Sequence, residues 1–345
     1  SETPRSLLRA IKLWYIVPAL LHSQDSRVKR RERFASVERG DITLILPWLM
    51  EYTSRASSRL RGPTYEATDA AKYERASSAC RHSGGVSVAA RCLLAEARAP
   101  GNEVTWERVK AKFPGEDRAS ISESAAATRP EQEFDSQVAL DVINSRNALS
   151  GAGSDGLRFS HLQSVIRTGF GREKFGASIE AFWRRIFDDP GAFPPEFWQL
   201  FLQSNLTALG EKCRPVCVGM TWRRLLAAGT MRQWRPRLEE INREARQFGV
   251  GVRGGVEQVA LRARVHHEAR NWLILTDCSN AFNTVKRTAV LAEAATCVPA
   301  LTPFIAKCYG ERPAPTFFQM DSGERRKIDC SSGVQQGDAM GPALF

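Results

Sequence analysis

Apolar and polar positions alternate most regularly after residue 134, where their spacing predicts helices and short strands. An apolar stripe at positions i, i+3, i+4, i+7 and i+8 is typical of the buried face of a helix. Its members are Ile179, Phe182, Trp183, Ile186 and Phe187. We predict that this helix ends at 188–191 and that the next begins at the pair Pro194 and Pro195. Further helices are predicted over 221–241, 256–269 and 284–296.

Short apolar segments between turn residues predict strands in the same half of the chain. One covers 205–209, and another, over 272–276, leads directly into an aspartate. The segments 316–320 and 326–329 flank Asp321-Ser322-Gly323, which indicates a hairpin. The order of helices and strands predicts an α+β fold whose strands deliver loops to one site.

The chain before residue 134 has a weaker pattern. We predict a helix over 3–22, an apolar segment at 42–52 and a short helical piece around Trp106. Residues 53–87 are rich in Ala, Ser, Arg and Gly, which indicates a flexible or loosely helical connector. The predicted division is a basic, mostly helical and partly disordered N-terminal extension over 1–113, a linker over 114–133, and a main domain over 134–345.

The 345-residue chain carries a net charge of +11, mostly through arginine. Such a balance favours a polyanionic partner, although a solvated basic surface without a specific partner explains it equally well. The basic run at 27–33 could likewise touch nucleic acid or form a solvated turn. Eight scattered cysteines without a CxxC pair indicate free thiols in a reducing compartment. Since no apolar run reaches ~18 residues and no secretory pattern is present, we expect an intracellular protein without membrane contact.

The first candidate for chemistry is Asp277, at the end of the predicted strand over 272–276. A buried strand that ends in a carboxylate needs a helix cap, an ion pair or a metal to compensate the charge. Nucleotidyl transfer uses such carboxylates to hold Mg²⁺. A helix N-cap is an equally good interpretation of this residue in isolation.

Two further segments could contact a ligand. Residues 332–345 form a glycine-rich stretch that leads into a helix, and glycine allows backbone to approach a ligand closely. Lys212 and Arg214 adjoin a predicted strand and are followed by the arginine pair Arg223 and Arg224. Cations so placed could hold a triphosphate. A plain turn and a solvated hairpin are the alternatives for these two segments.

In their order along the chain, these segments resemble reverse transcriptases, most closely those of non-LTR retrotransposons. Residues 277–283 have the form D-x-x-N-A-F-N of polymerase motif A, and residues 333–345 the form G-x-x-Q-G-D-x-x-G-P-x-L-F of motif B. Residues 214–219 and the R-R-L that follows at 223–225 are similar to the fingers motif. Residues 154–157 and 249–258 resemble upstream family segments. The resemblance covers about 150–345 well and the rest loosely.

The resemblance implies roles for the matching residues. Asp277 would bind both catalytic Mg²⁺ ions, with the carbonyl of Cys278 as a further ligand of one of them. Phe282 would lie under the incoming sugar and exclude a 2′-hydroxyl group. Gln336 and Gly337 would line the nucleotide pocket on its template side.

Lys212 and Arg214 would contact the triphosphate, and Arg223 and Arg224 are predicted to contact nucleic acid. The implied partners are an RNA template, a DNA primer and dNTPs. The implied fold is that of right-hand polymerase fingers and a partial palm. We expect the full-length protein to synthesise DNA from RNA by two-metal nucleotidyl transfer, in the nucleus.

The chain departs from the family pattern in two places. Only Cys213 separates Lys212 from Arg214, where the family usually has a glycine-containing turn, so the fingertip is shortened. Motif C, with its paired aspartates, and the thumb do not follow motif B within the 345 residues. The Mg²⁺ site is therefore expected to be incomplete, and the chain alone inactive, with the missing palm and thumb supplied in cis.

Two alternatives stay open at this point. The chain could be a truncated, catalytically dead retroelement remnant that at most binds RNA. It could also be an RNA-dependent RNA polymerase with the same palm, although Phe282 argues against this because such enzymes need room for a 2′-hydroxyl.

Overall fold

The computed structural model describes residues 96–115, 119–120, 122, 134–147, 150–154, 156–167, 169–310 and 313–345, with a few isolated positions before 96. The predicted helix over 3–22, the basic run at 27–33 and the apolar segment at 42–52 lie outside the described residues, apart from Glu32. The connector over 53–87 also lies outside them, except for a few isolated positions.

The described residues form a mixed α+β structure, which confirms the predicted fold class at that level. Within them, no helix combines the length and apolarity that crossing a bilayer requires. The helices are α1 Glu103–Lys110, α2 Ser136–Ser145, α3 Phe159–Ile166, α4 Gly169–Asp188, α5 Pro195–Phe201, α6 Thr221–Gln233, α7 Arg235–Glu244, α8 Gly255–Glu268, α9 Ala281–Thr284, α10 Arg287–Cys297, α11 Thr302–Tyr309 and α12 Gly341–Leu344, with 3-10 turns at Pro190–Ala192 and Pro299–Leu301.

The four described strands form one sheet in the order β2-β1-β3-β4. The strands are β1 Ser204–Leu209, β2 Arg214–Gly219, β3 Ala314–Gln319 and β4 Arg325–Cys330. β1 pairs with β2 and β3 with β4 in antiparallel hairpins, whereas β1 and β3 run parallel. The predicted strand at 205–209 and the predicted hairpin at 316–320 and 326–329 are confirmed.

A helical core surrounds α4, whose apolar stripe is buried as its spacing predicted. Ile179, Trp183 and Ile186 are fully buried, and the ring of Phe134 meets that of Trp183 edge-on at 3.7 Å. Gly229 on α6 faces the same indole, and a Cβ at that position would lie 2.9 Å from it. Close contact between α4 and α6 therefore depends on a residue without a side chain.

A second, smaller core lies where α1 covers one face of the sheet. Trp106 and Val109 of α1 are buried against Leu206, Phe318 and other residues of that face. The side chain of Arg326 on β4 lies 5.6 Å from the ring of Trp106 and forms an ion pair with Glu103. The packing therefore joins 96–113 to the sheet, although the sequence places this segment in a separate N-terminal extension.

The helical structure predicted over 221–241 is confirmed, but the chain forms it as two helices, α6 and α7, with a break at Trp234. Pro236 explains the break, since it has no N–H to donate and its ring would clash with the carbonyl four residues earlier. The helix predicted over 256–269 is confirmed as α8. The helix predicted over 284–296 begins later, at Arg287, after the short α9.

Candidate functional site

A cleft of about 1210 Å³ lies between α1, the β1–β2 turn and the loop that precedes α9. Five cationic and three acidic side chains line it, so the cleft favours an anionic ligand. The cationic residues are Arg98, Arg108, Lys112, Lys212 and Arg214, and the acidic residues are Glu96, Glu211 and Asp277. Cys278, Phe282 and Gln336 also line the cleft, as the sequence predicted, whereas Gly337, which was predicted beside Gln336, is not part of the lining.

The β1–β2 turn brings Lys212 and Arg214 to the cleft. Gly210 and Cys213 both have positive φ, of 65° and 48°, which allows the chain to reverse within four residues. The Nζ of Lys112, two residues past α1, donates to the carbonyl of Lys212 at 2.7 Å and holds the turn in place. Arg214 forms an exposed ion pair with Glu96 at 3.1 Å.

Asp277 lies in the cleft, but the strand predicted before it is wrong. Residues 271–278, all of them described, lie outside helix and strand, and Trp272 is 97 % exposed. Ile274 and Leu275 are also exposed, so the aspartate does not end a buried strand. Within the described residues no neighbouring strand pairs with this segment, and an unpaired apolar segment cannot satisfy its backbone as a strand does.

Asn280 fixes the loop between Asp277 and α9. Its φ of 55° lies in the left-handed region, which asparagine tolerates better than most residues. Its Nδ2 donates to the carbonyl of Lys112 at 2.7 Å, and its Oδ1 accepts from the Nδ2 of Asn283 at 2.7 Å. Lys112 therefore contacts both sides of the cleft, since its Nζ also binds the β1–β2 turn.

The segment 332–338 connects this loop to β2. The N–H of Val334 donates to the carbonyl of Phe282, and the N–H of Cys217 donates to the carbonyl of Gln336, both at 2.7 Å. Gly333 and Gly337 have φ of 61° and 109° and approach neighbouring backbone too closely for a Cβ. Gln336 lines the cleft, so the segment places this residue between the β1–β2 turn and the loop that precedes α9.

Phe282 is half-buried beside the cleft, and its ring is stacked on that of Phe345 at a centroid distance of 5.3 Å. Its carbonyl is the acceptor for the N–H of Val334. The backbone of Phe282 is therefore held by the segment 332–338, while its ring packs against the residue that follows α12. Both contacts fix the position of a side chain that the sequence assigned to the site.

The sequence predicted that Arg223 contacts nucleic acid, but the residue lies in the interior of the protein. Only 2 % of it is exposed, and its guanidinium donates to Asp338 and Gln335, each at 2.7 Å, and to the hydroxyl of Tyr309. Burial alone would lower the pKa of Arg223, but the adjacent Asp338 carboxylate outweighs it and the pKa lies above the ordinary value. This arginine is a fixed internal cation and does not reach a polyanion at the surface.

Arg224, the other member of the predicted pair, is half-buried. Its Nη1 donates to the carbonyl of Gly151 at 2.7 Å, and its guanidinium lies 5.2 Å from the ring of Phe159. Both contacts bind α6 to the segment that leads into α3. Neither Arg223 nor Arg224 lines the cleft.

Asp277 and Cys278 do not by themselves fit a site for two metal ions. Such sites need several carboxylates within a few ångströms of one another. Among the described residues, no group of three or more His, Cys, Asp and Glu side chains could hold a metal ion. The cleft of this chain therefore offers cations for phosphate, and Asp277 is the one of its three carboxylates that the sequence assigned to a metal.

The thiol of Cys278 is expected to react selectively with iodoacetamide. Among the six described cysteines it is the exposed one, and burial raises the pKa of Cys217 and of Cys308 to about 12. Because only the thiolate reacts, these buried thiols should be labelled slowly at pH 8. Peptide mass spectrometry over time gives the rate for each cysteine.

Inorganic tripolyphosphate is the probe for occupation of the cleft in the same experiment. It should slow the labelling of Cys278 while the half-buried Cys297, which does not line the cleft, serves as the internal control. Equal rates for Cys278 and the buried Cys213, or equal protection of Cys297, would contradict this placement.

The sequence alone did not identify the contribution of α1 to the site. Arg98, Arg108 and Lys112 come from a segment that was assigned to the N-terminal extension.

No known protein family matches the chain, and no curated protein is detectably similar to it. The functional interpretation therefore depends on the residues of the cleft and their geometry.

Proposed function

We propose that this chain contains the fingers and part of the palm of an RNA-directed DNA polymerase of the non-LTR retrotransposon type. The observation that carries the proposal is the meeting of Asp277, Phe282, Gln336, Lys212 and Arg214 at one cleft. These residues come from three separate segments of the chain, and the family resemblance assigns them to one nucleotide site. Their position at one cleft supports that assignment.

The charges of the cleft support a triphosphate as the ligand. Lys212 and Arg214 lie beside each other at the β1–β2 turn, and charge-assisted hydrogen bonds to phosphate are about twice as strong as neutral ones. Arg214 would exchange its exposed ion pair with Glu96 for the phosphate. Such a surface pair contributes only about 0–1 kcal/mol, so the exchange costs little.

Phe282 and Gln336 would contact the sugar and base of the nucleotide. Both line the cleft, and the backbones of the two are connected through the segment 332–338. Stacking on Phe345 limits the movement of the Phe282 ring, and a fixed ring can exclude a 2′-hydroxyl by its volume. This supports a preference for deoxynucleotides.

Asp277 would hold Mg²⁺, with the carbonyl of Cys278 beside it. Mg²⁺ is commonly bound by one or two carboxylates together with the phosphates of the substrate. The described residues do not supply the second carboxylate cluster that two-metal transfer requires. For the 345 residues alone we therefore propose binding of nucleotide and nucleic acid, with an RNA template and a DNA primer as partners.

Removal of the two cations at the β1–β2 turn tests the proposal. The double variant Lys212→Ala/Arg214→Ala is expected to bind dTTP at least about tenfold more weakly than the wild type, because each lost contact is a charged hydrogen bond. Isothermal titration calorimetry in the presence of Mg²⁺ measures the affinity. The wild type should bind dTTP more tightly than UTP.

The matched control is Lys327→Ala/Arg243→Ala, which removes two exposed cations outside the cleft. It should bind dTTP like the wild type. Glu96→Gln should bind dTTP more tightly, since it releases Arg214 from its ion pair. Equal affinities for the double variant and its control would overturn the proposal.

A second candidate is a protein that binds RNA without catalysis. The observation that favours it is the lack of a metal-ligating cluster around Asp277 among the described residues. It predicts RNA binding that falls steeply with salt, no binding of dTTP, and no effect of Lys212→Ala on dTTP. Incorporation of labelled dTTP on a poly(rA)/oligo(dT) template is expected for neither candidate with this chain alone.

A further inference from the structure

The segment that carries Gln336 is anchored on a buried polar network behind the cleft. Among the described residues two arginines are almost fully buried, Arg223 at 2 % and Arg287 at 1 % exposure. Their guanidinium carbons lie 5.6 and 5.7 Å from the ring centre of Tyr309. Each arginine binds a different part of the segment 330–338, so the network fixes that segment along its length.

Arg287 holds the first part of the segment. Its Nε donates to the carbonyl of Gly333 at 3.0 Å, and its Nη2 donates to the carbonyls of Cys330 and Ser332. These are backbone acceptors, so the contact fixes the course of the chain without depending on its side chains. The end of β4 and the first glycine of the segment are thereby fixed.

Arg223 holds the second part at two points. Its Nη1 donates to the Oε1 of Gln335, and its Nη2 donates to the Oδ2 of Asp338, each at 2.7 Å. The hydroxyl of Tyr309 also donates to Oδ2, and Oδ1 accepts from the N–H of Met340 at 3.0 Å. One guanidinium therefore binds the residues on both sides of Gln336 and Gly337.

Gln335 and Gln336 are adjacent, but their side chains face opposite sides of the segment. Gln335 is 2 % exposed, and its Nε2 lies 3.4 Å from the hydroxyl of Ser204 on β1. Gln336 is half-exposed and lines the cleft, while its carbonyl accepts from β2. With its neighbours fixed inward and its own carbonyl bound, Gln336 presents its side chain to the cleft.

We propose that Asp338 is a positioning residue which, through Arg223, orients Gln336 for the nucleotide. This inference rests on the proposed function, because Gln336 is taken to contact the nucleotide. The inference extends the proposed function, because it assigns part of the binding affinity to Asp338, a carboxylate that does not line the cleft. A preorganised contact binds more tightly because less conformational entropy is lost when the ligand arrives.

The affinity test uses the full 345-residue chain and dTTP with Mg²⁺ in calorimetry. Asp338→Asn keeps the shape of the side chain but places an amide donor against groups that themselves donate, and is expected to weaken dTTP binding about tenfold. Gln335→Met leaves the ion pair intact but removes the hydrogen bond from Arg223 to Oε1 and the weaker one from Nε2 to Ser204, so a smaller loss of affinity than that of Asp338→Asn is expected. This second variant provides a result even if Asp338→Asn folds poorly.

Two controls separate positioning from general destabilisation. Ile179→Ala removes a fully buried side chain of α4 outside the cleft and should lower the melting temperature without changing the affinity for dTTP. In a double-mutant cycle, Asp338→Asn should have little further effect in a chain that already carries Gln336→Ala. Additive losses in that cycle, or an affinity of Asp338→Asn equal to that of the wild type, would overturn the proposal.

Hydrogen exchange distinguishes this proposal from the proposed function. The amides of Asp338, Met340 and Gly341 donate within the segment, and they should exchange faster in Asp338→Asn but not in Ile179→Ala. If the wild type does not bind dTTP, the proposed function fails, and exchange alone decides whether Asp338 orders the segment. Unchanged exchange in Asp338→Asn would overturn that ordering.

Discussion

Alanine at position 337 is expected to abolish tight binding of dTTP and to destabilise the protein. Gly337 has a φ of 109°, and a Cβ there would lie 2.4 Å from the carbonyl oxygen of Cys217. The backbone conformation alone costs a residue with a side chain about 1–3 kcal/mol. Because the close neighbour is backbone, the segment must move, and Gln336 with it. Urea denaturation and calorimetry measure both effects of Gly337→Ala.

Gly254→Ala is the matched control for this prediction. Gly254 also has a positive φ, of 64°, but a Cβ there would meet no atom within 4 Å. Its substitution should cost roughly 1–2 kcal/mol through the backbone conformation and leave the affinity for dTTP unchanged. If both variants lose the same stability and both bind dTTP like the wild type, the contact between Gly337 and β2 has no functional weight.

Arg223→Met is expected to lower the free energy of unfolding by about 3–5 kcal/mol, as the removal of one partner of a buried ion pair generally does. The side chains of Arg223 and Asp338 are 3 % and 5 % exposed, and their nearest charged atoms are 2.7 Å apart. Without the arginine, Asp338 would keep a buried charge whose partner is gone. Urea denaturation followed by circular dichroism gives the change.

Arg232→Met provides the comparison on the same helix. Arg232 is 49 % exposed and lies 3.6 Å from Asp141, and such surface pairs contribute about 0–1 kcal/mol. A double variant, Arg223→Met/Asp338→Leu, should recover much of the lost stability because it leaves no uncompensated charge. Equal losses for Arg223→Met and Arg232→Met would show that the buried pair does not stabilise the fold.

Local periodicity was sufficient to predict the elements that bury one continuous face. The stripe of α4 has five apolar residues at helical spacing, and the hairpin of β3 and β4 is marked by Asp321-Ser322-Gly323. In both cases the deciding information lies within about ten residues, where side-chain period and turn residues determine the outcome. The break at Trp234 also has a local cause, Pro236. The apolar pattern continues across it, and the prediction followed that pattern without weighing the proline.

The segment 272–276 shows where local pattern is insufficient. Its apolar residues fit a buried strand, but a strand needs a partner for its backbone and a surface for its side chains. Neither is a property of the segment itself. The described residues provide no such partner, and the segment does not form a strand: Trp272 is 97 % exposed.

The residues that line the cleft were easier to name from the sequence than the residues that hold them in place. Residues that line the cleft could be found because their types and order resemble a known pattern, whereas Arg223 could not be assigned correctly. Arg223 and Arg224 are neighbours, and adjacent residues on a helix point in different directions, so one faces the interior while the other lies nearer the surface. The pairing of Arg223 with Asp338 spans 115 positions, and no local pattern specifies it.

The packing of α1 on the sheet also determines when this part of the protein can fold during synthesis. Glu103 and Arg326, which meet in the finished protein, are separated by 223 positions along the chain. At roughly 5–20 residues per second, a ribosome needs about 10–45 s to cover that distance. Throughout this interval Trp106 and Val109 have no complete sheet to pack against, so the wall that α1 contributes to the cleft forms only after β4 has been synthesised.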